Sequence, residues 1–376
     1  MEISKRLRPA VCRFAGCLCF VLLLTLALRA QPAASSAAQV PALDFPGMMQ
    51  PIPAAAAFHD PGYFVWCGTM VQGDDGKYHL YYSRWKITDG FESWVTRSEV
   101  AHAVGDSPMG PFAFHDVALP ARGNQFWDGL VTHNPTVHHF GKKYYIYYTG
   151  NTGDNVVMST LNWTHRNHQR IGVAVADNPG GPWKRFDQPV IDVSVDPKAA
   201  DSLCMSNPSI TQGRDGKIWL LYKAVGRANP LPFGGPVVHL MAVSELPIGP
   251  FRKDLTPLFT VPGSAFPFED PFFWYDAKRD LYFVIMKDNH GIVSGTGHST
   301  LVLYQSKDAS DWVKATHLLV SDLELRWKDR PVEKVIALER PQLTFNAMGD
   351  PIALVVAIRD GGSDSYNVRI PIAPQK

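Results

Sequence analysis

Apolar and polar positions along this chain fall into short bursts rich in β-branched and aromatic residues, and one arrangement of them recurs five times. The strongest burst of each repeat covers residues 78–83, 144–149, 218–223, 281–287 and 352–357. Ahead of each lies a turn: Asp75-Gly76, Gly141-Lys142, Asp215-Gly216, Arg279-Asp280 or Gly349-Asp350. Such pairs between two apolar runs predict hairpins, so each burst is the second strand of one. The first strands open on related motifs: Trp66-Cys67-Gly68, His133-Asn134-Pro135, Ser206-Asn207-Pro208, Glu269-Asp270-Pro271 and Glu339-Arg340-Pro341. Third strands follow around 100–104, 171–176, 239–243, 300–304 and 365–370. Gly110-Pro111-Phe112, Gly181-Pro182-Trp183, Gly249-Pro250-Phe251 and Asp311-Trp312 then mark the turn into a fourth.

Four strands per unit and five units predict an all-β fold, a five-bladed β-propeller over residues 58–376. No long amphipathic helix pattern competes with it. The fifth unit runs out at Lys376 after its third strand. Its fourth strand is expected from the N-terminal side, before Gly62, because a missing strand would leave an unpaired edge.

Residues 1–30 stand apart. Lys5, Arg6, Arg8 and Arg13 precede an apolar run from Leu18 to Leu28, the pattern of a secretory signal peptide. That run is shorter than the ~20 residues of a membrane span. The expectation is a secreted or periplasmic protein with no membrane span in the mature chain. A membrane-anchored form, held by an uncleaved signal or by lipid, is the alternative, although Ala15-Gly16-Cys17 precedes the apolar run. Residues 31–57, rich in Ala and Pro, read as a linker and latch segment.

Without residues 1–30 the balance is 31 Lys+Arg against 34 Asp+Glu. No basic stripe remains to bind nucleic acid or an anionic membrane, so neither is an expected partner. Cys67 and Cys204 are the two cysteines left, too few for a disulfide scaffold, and they read as buried free thiols.

Strand direction puts the long segments 84–99, 150–169, 224–238 and 288–299 on one rim, together with the starts of the first strands. Chemistry is expected at that mouth. Glu269, Asp270, Glu339 and, a few residues ahead of its strand, Asp128 supply carboxylates there. Cleaving a glycosidic bond needs one carboxylic acid to protonate the leaving oxygen and one carboxylate as base or nucleophile. Crowding several at one mouth separates their pKa values. His133, Asn134, Asn207, Arg84, Lys223, Lys287 and Arg340 are candidate binding groups, and Trp66, Trp85 and Trp127 candidate stacking surfaces for a sugar. Each also has a structural reading: Asp-Arg pairing, turn formation or sheet filling. No zinc-ligand spacing, nucleotide loop or Gly-x-Ser-x-Gly elbow is present. No cofactor is required by this chemistry, and a structural calcium stays open.

With its repeated Asn-Pro and Asp-Pro openings, the Gly-Lys-Tyr-His-Leu-Tyr-Tyr strand and the Gly-Pro-Trp or Gly-Pro-Phe turns, the chain resembles the five-bladed propeller glycosidases. The resemblance is strongest to glycoside hydrolase family 43 and covers roughly residues 58–372. It implies a carbohydrate substrate and an acid at Glu269, two places before a proline, with Glu339 matching the same local pattern one blade later. The base or pKa-tuning group would then be Asp270 or Asp128. The family's base position is assigned to Gly68, with Asp60 the nearest acid, and its tuning aspartate falls on Asn207. Those two departures keep a non-catalytic sugar-binding propeller open. Glu269-Asp270-Pro271 is also similar to the Glu-Asp-Pro of the family 130 mannoside phosphorylases. That likeness implies a phosphate pocket made from Lys223, Lys287, Arg84 and Arg340.

Overall fold

A computed structural model describes residues 40–362 and 364–374, so the expected signal peptide lies outside the described residues. Among these residues no helix is long and apolar enough to cross a membrane. Five four-stranded antiparallel sheets make the blades. Blade 1 comprises Tyr63–Gln72, Tyr78–Lys86, Glu99–Gly105 and Phe112–Leu119; blade 2 comprises Val131–Phe140, Lys143–Asn151, Arg170–Ala176 and Lys184–Arg185. Blade 3 is Cys204–Gln212, Ile218–Val225, Val237–Ser244 and Arg252–Leu258, and blade 4 is Phe268–Asp276, Leu281–Asp288, Thr300–Ser306 and Val313–Ser321. Blade 5 takes Ala337–Phe345, Pro351–Arg359 and Tyr366–Pro371 from the C-terminal end, and Ala57–Phe58 from the N-terminal end.

That last pairing closes the ring as the sequence predicts: Ala57 lies opposite Val368 and Phe58 opposite Asn367. The preceding residues are packed rather than loose. Leu43, Phe45, Met48 and Ile52 are buried with Leu301, Leu303, Val356 and Ile370 of blades 4 and 5. Each such side chain contributes about 1.5–3 kcal/mol of transfer free energy. The buried Arg369 guanidinium donates to the carbonyls of Ala55 (2.8 Å) and Met109 (3.3 Å), tying latch, blade 5 and blade 1 together.

Every innermost strand carries a β-bulge at the same place. Pairing jumps between Trp66 and Thr69, His133 and Thr136, Ser206 and Ser209, Glu269 and Phe272, and Glu339 and Gln342. Within these bulges Cys67, Asn134, Asn207, Asp270 and Arg340 have φ between 50° and 57°. Asn and Asp tolerate this left-handed conformation, whereas Cys and Arg rarely adopt it. A cost of about 1–3 kcal/mol per strained residue is typical of functional sites. Five in a ring around the axis mark where this scaffold spends its stability.

Candidate functional site

The five bulge residues meet on the axis in a chain of side-chain contacts. Cys67 Sγ donates to Asn134 Oδ1 (2.7 Å), Asn134 Nδ2 to Asn207 Oδ1 (2.5 Å) and Asn207 Nδ2 to Asp270 Oδ1 (2.7 Å). Arg340 completes it, donating from Nη1 to Asp270 Oδ1 (3.2 Å) and from its backbone N–H to Asp270 Oδ2 (3.3 Å). Below this ring Thr136 Oγ1 donates to Gln342 Oε1 (3.0 Å) across the channel. The ring thus floors a pocket of about 200 Å³.

A second repeat rule builds the charged wall. In blades 1 to 4 the residue opposite the start of the bulge, on the second strand, reaches toward the following blade; in blade 5 it is Ala357. In blades 1 and 2 it is a hydroxyl: Ser83 Oγ accepts from Asn134 N (3.1 Å) and Thr149 Oγ1 from Asn207 N (3.1 Å). In blades 3 and 4 the equivalent residues are lysines, paired in register with Ser206 and Glu269. Lys223 donates to Glu269 Oε1, and Lys287 Nζ sits 2.5 Å from Glu339 Oε1 and 3.8 Å from Glu269 Oε2. One ammonium therefore bridges two carboxylates.

These contacts push the glutamates apart. Burial raises the pKa of Glu269, but Lys223 and Lys287 outweigh it and hold the group down at about 2. Glu339 moves the other way: burial raises it most, Lys287 opposes, and Asp270 and Glu269 add to the rise. Burial also raises Asp270, against the pull of Arg340. His133 is driven well below its ordinary range by burial and then by Arg340 and Lys223, so its ring is neutral. Its Nδ1 contacts Ser98 Oγ at 2.8 Å.

Opposite the charged wall stands an aromatic one, made by Trp66, Trp85, Phe91 and Trp94 of blade 1 and its long loop. Trp94 lies 5.0 Å from the His133 ring, and Phe91 packs against Trp66 at 5.6 Å. Arg359 covers Phe91 from behind, 4.1 Å from its centroid.

The structure brings together Glu269, Asp270, Glu339, His133, Asn134, Asn207, Lys223, Arg340, Trp66 and Trp85 around this pocket, with Lys287 bridging two of them. Three expected site residues are elsewhere. Asp128 is fully buried within blade 2, bound by Arg122, Arg185 and the Tyr148 hydroxyl, because the Trp-Asp-Gly turn points inward. Trp127 stacks on Tyr148 and covers Gly150 and Gly172, where any Cβ would strike its ring. Arg84 is spent on Asp60 (2.8 Å) and Glu99 (2.9 Å), which also removes Asp60 from the mouth.

The register moves one further assignment. Gly68 is equivalent to the prolines 135, 208, 271 and 341, and the residue matching Asn207 and Asp270 is Cys67. A side chain at Gly68 would put Cβ 1.9 Å from Asn367 Oδ1, so glycine is dictated by the neighbouring blade. Phe91, Trp94, Gln169 and Cys67 are the site residues that sequence reasoning missed. For Phe91 and Trp94 the one signal was the aromatic run in loop 84–99. Both Cys67 and Cys204 are buried free thiols.

Residues 117–239 match the family model described as "Glycosyl hydrolases family 43", a stretch covering blade 2 and most of blade 3 but ending before Glu269. No curated protein matches the chain. Solved structures share the fold. One described as a glycoside hydrolase is 13% identical, with 88% of this chain and 94% of that chain covered and a TM-score of 0.64. An endo-arabinase from Bacteroides thetaiotaomicron is 12% identical, covering 87% and 98%, with a TM-score of 0.56. A family 117 glycoside hydrolase of the marine bacterium Zobellia galactanivorans is 17% identical, covering 88% and 87%, with a TM-score of 0.56.

Proposed function

We propose that this chain, a five-bladed propeller of the family 43-like glycosidase superfamily, is an exported glycoside hydrolase that works in its axial pocket. The observation that carries this reading is the Glu269–Lys287–Glu339 bridge facing an aromatic wall. Separated pKa values assign the two roles that glycoside cleavage needs. Glu269, held ionised by two lysines, is then not the acid that the resemblance implies but the carboxylate that attacks or assists at the anomeric carbon. Glu339, raised by burial, carries the proton for the leaving oxygen. Asp270 is locked into the floor by Arg340 and Asn207, so it positions its neighbours. A pocket smaller than the ~300–1,000 Å³ usual for drug-sized ligands suits one terminal sugar unit, which makes the enzyme exo-acting.

Reducing-sugar release from a broad glycan panel, with wild type beside Glu269→Gln and Glu339→Gln, tests the reading. Each arm is run with and without phosphate. Release that needs no phosphate and collapses in both variants supports it. Phosphate-dependent release would instead indicate a phosphorylase. Every cation at the floor is already paired with a carboxylate, which argues against a phosphate cradle there. Cys67 and Asn207, where the family carries acids, favour a second reading as a sugar binder. Glycan binding that survives both substitutions, with no release from any glycan, would make that reading the better one.

Stereochemistry follows from the bridge. The facing oxygens of Glu269 and Glu339 are no further apart than the two Lys287 legs laid end to end, 3.8 and 2.5 Å. Even that ceiling falls just short of the ~6.5–9.5 Å an inverting pair keeps open for water. Retention is the expected outcome, read by proton NMR of the first-formed anomer; first-formed product of inverted configuration would refute it. Trp94→Ala is expected to raise KM by about 2–10-fold with kcat nearly unchanged, the worth of one aromatic contact. Steady-state kinetics on the best glycan checks this.

A further inference from the structure

On the third and fourth strands of blade 1, counted outward from the axis, His102, His115 and Asp116 bring one ligand atom each to within 4.8 Å of one another. A bulge makes this possible. His102 pairs with Asp116 and Ala103 with Phe114, which leaves His115 as the extra residue. In a regular strand His115 and Asp116 would face opposite sides of the sheet; the bulge turns both toward His102. His102 Nδ1 lies 3.2 Å from Asp116 Oδ1, and His115 Nδ1 lies 3.2 Å from Asp116 Oδ2.

Behind His102 the contacts run inward. His102 Nε2 meets His79 Nδ1 at 2.9 Å, and His79 Nε2 meets Asp75 Oδ2 at 3.2 Å. Between Asp75 and Asp116 there are thus three polar contacts in series. If His79 donates to Asp75 and His102 donates to His79, the lone pair of the buried His102 Nδ1 faces a carboxylate oxygen.

We propose that His102, His115 and Asp116 form a divalent-metal site of the zinc class on the outer edge of blade 1. Two imidazoles and one carboxylate are a donor set that zinc takes, with a position left for water. Ligand atoms ~2.0–2.2 Å from a tetrahedral ion lie roughly 3.3–3.6 Å apart, slightly more than the two 3.2 Å contacts of Asp116. The Asp75–His79 pair is the outer support that fixes a ligating imidazole in one tautomer. No sequence spacing announces the site, because its ligands meet only through strand pairing and a bulge. By joining the two outermost strands of the blade, the ion strengthens the sheet edge rather than serving the axial pocket.

The test is calorimetric titration of the full chain with Zn²⁺, any affinity tag removed and the protein first freed of metal with a chelator. The expected result is one equivalent bound at micromolar or lower concentration, with a rise in thermal midpoint. His115→Ala and Asp116→Asn, both at accessible positions, are expected to weaken that equivalent at least about tenfold, the loss that follows even from removing an outer partner of a ligand. They should also cancel the thermal shift. No saturable binding by the wild type would overturn the site. Binding and thermal shift unchanged in both variants would overturn it equally.

Discussion

Replacing Glu339 with glutamine is expected to lower kcat by about 10²–10⁴-fold on a natural glycoside, the range supplied by a positioned general acid. The folded site has the means to keep this proton. Burial raises Glu339, and two neighbouring carboxylates reinforce that against Lys287. Because its pKa is raised, activity should be full below that pKa and fall as pH rises through it. Glu269, depressed to about 2, stays ionised across the same range and sets no limb there. Glu339→Gln should therefore remove the alkaline limb as well as lower the rate. A leaving group that needs no proton separates the roles further. On a dinitrophenyl glycoside of the preferred sugar, Glu339→Gln should recover much of its bond-cleavage rate while Glu269→Gln stays inactive. The reverse pattern would exchange the two assignments.

Asp128→Ala is expected to cost about 3–5 kcal/mol of stability while leaving kcat and KM of the remaining folded protein close to wild type. Its carboxylate has no exposure. It accepts from Arg122 Nε (2.7 Å), the Tyr148 hydroxyl (2.7 Å) and Arg185 Nη1 (3.3 Å). Removing it leaves Arg122 with the exposed Asp187 and the Phe186 carbonyl, Arg185 with the Pro120 carbonyl alone, and the buried Tyr148 hydroxyl without its acceptor. Chemical denaturation followed by tryptophan fluorescence reads the loss, and assays below the transition read the activity. A catalytic Asp128 would give the opposite result, a stable protein with a collapsed rate.

Asp128 also shows where sequence reading stops. The five blades were legible because each hairpin announces itself twice, by a Gly/Asp turn and by an apolar burst, and five errors in step are improbable. Closure was legible because the last unit is one strand short. The axial motifs around Glu269 and Glu339 were visible as repeats of each other. What decides the role of a carboxylate is its partners, and those of Asp128 come from Arg122, Tyr148 and Arg185, one of them 57 positions away. Nothing local to Trp-Asp-Gly distinguishes a turn facing the mouth from one facing the sheet. Cys67 was displaced by one place for a related reason: without a proline to fix the alignment, only the pairing of Trp66 with Ser83 and Thr69 with Tyr81 counts the bulge. Phe91 and Trp94 lie in a loop, where no periodicity assigns a face.

The seam in blade 5 also acts in time. Ala57 and Phe58 pair with residues roughly 300 positions later. A chain delivered N-terminus first must therefore hold Ala57–Phe58, the earliest strand among the described residues, unpaired until its partner has arrived. Distant contacts of this kind form slowly, and sheets left open meanwhile offer their edges to other chains. Native blade 5 cannot precede the C-terminus, whatever the first four blades have done. Deleting residues before 59 would remove one strand of blade 5, whereas deleting residues after 365 would remove another and leave Ala57–Phe58 nothing to pair with, so the ring is left ajar more widely from the C-terminal end.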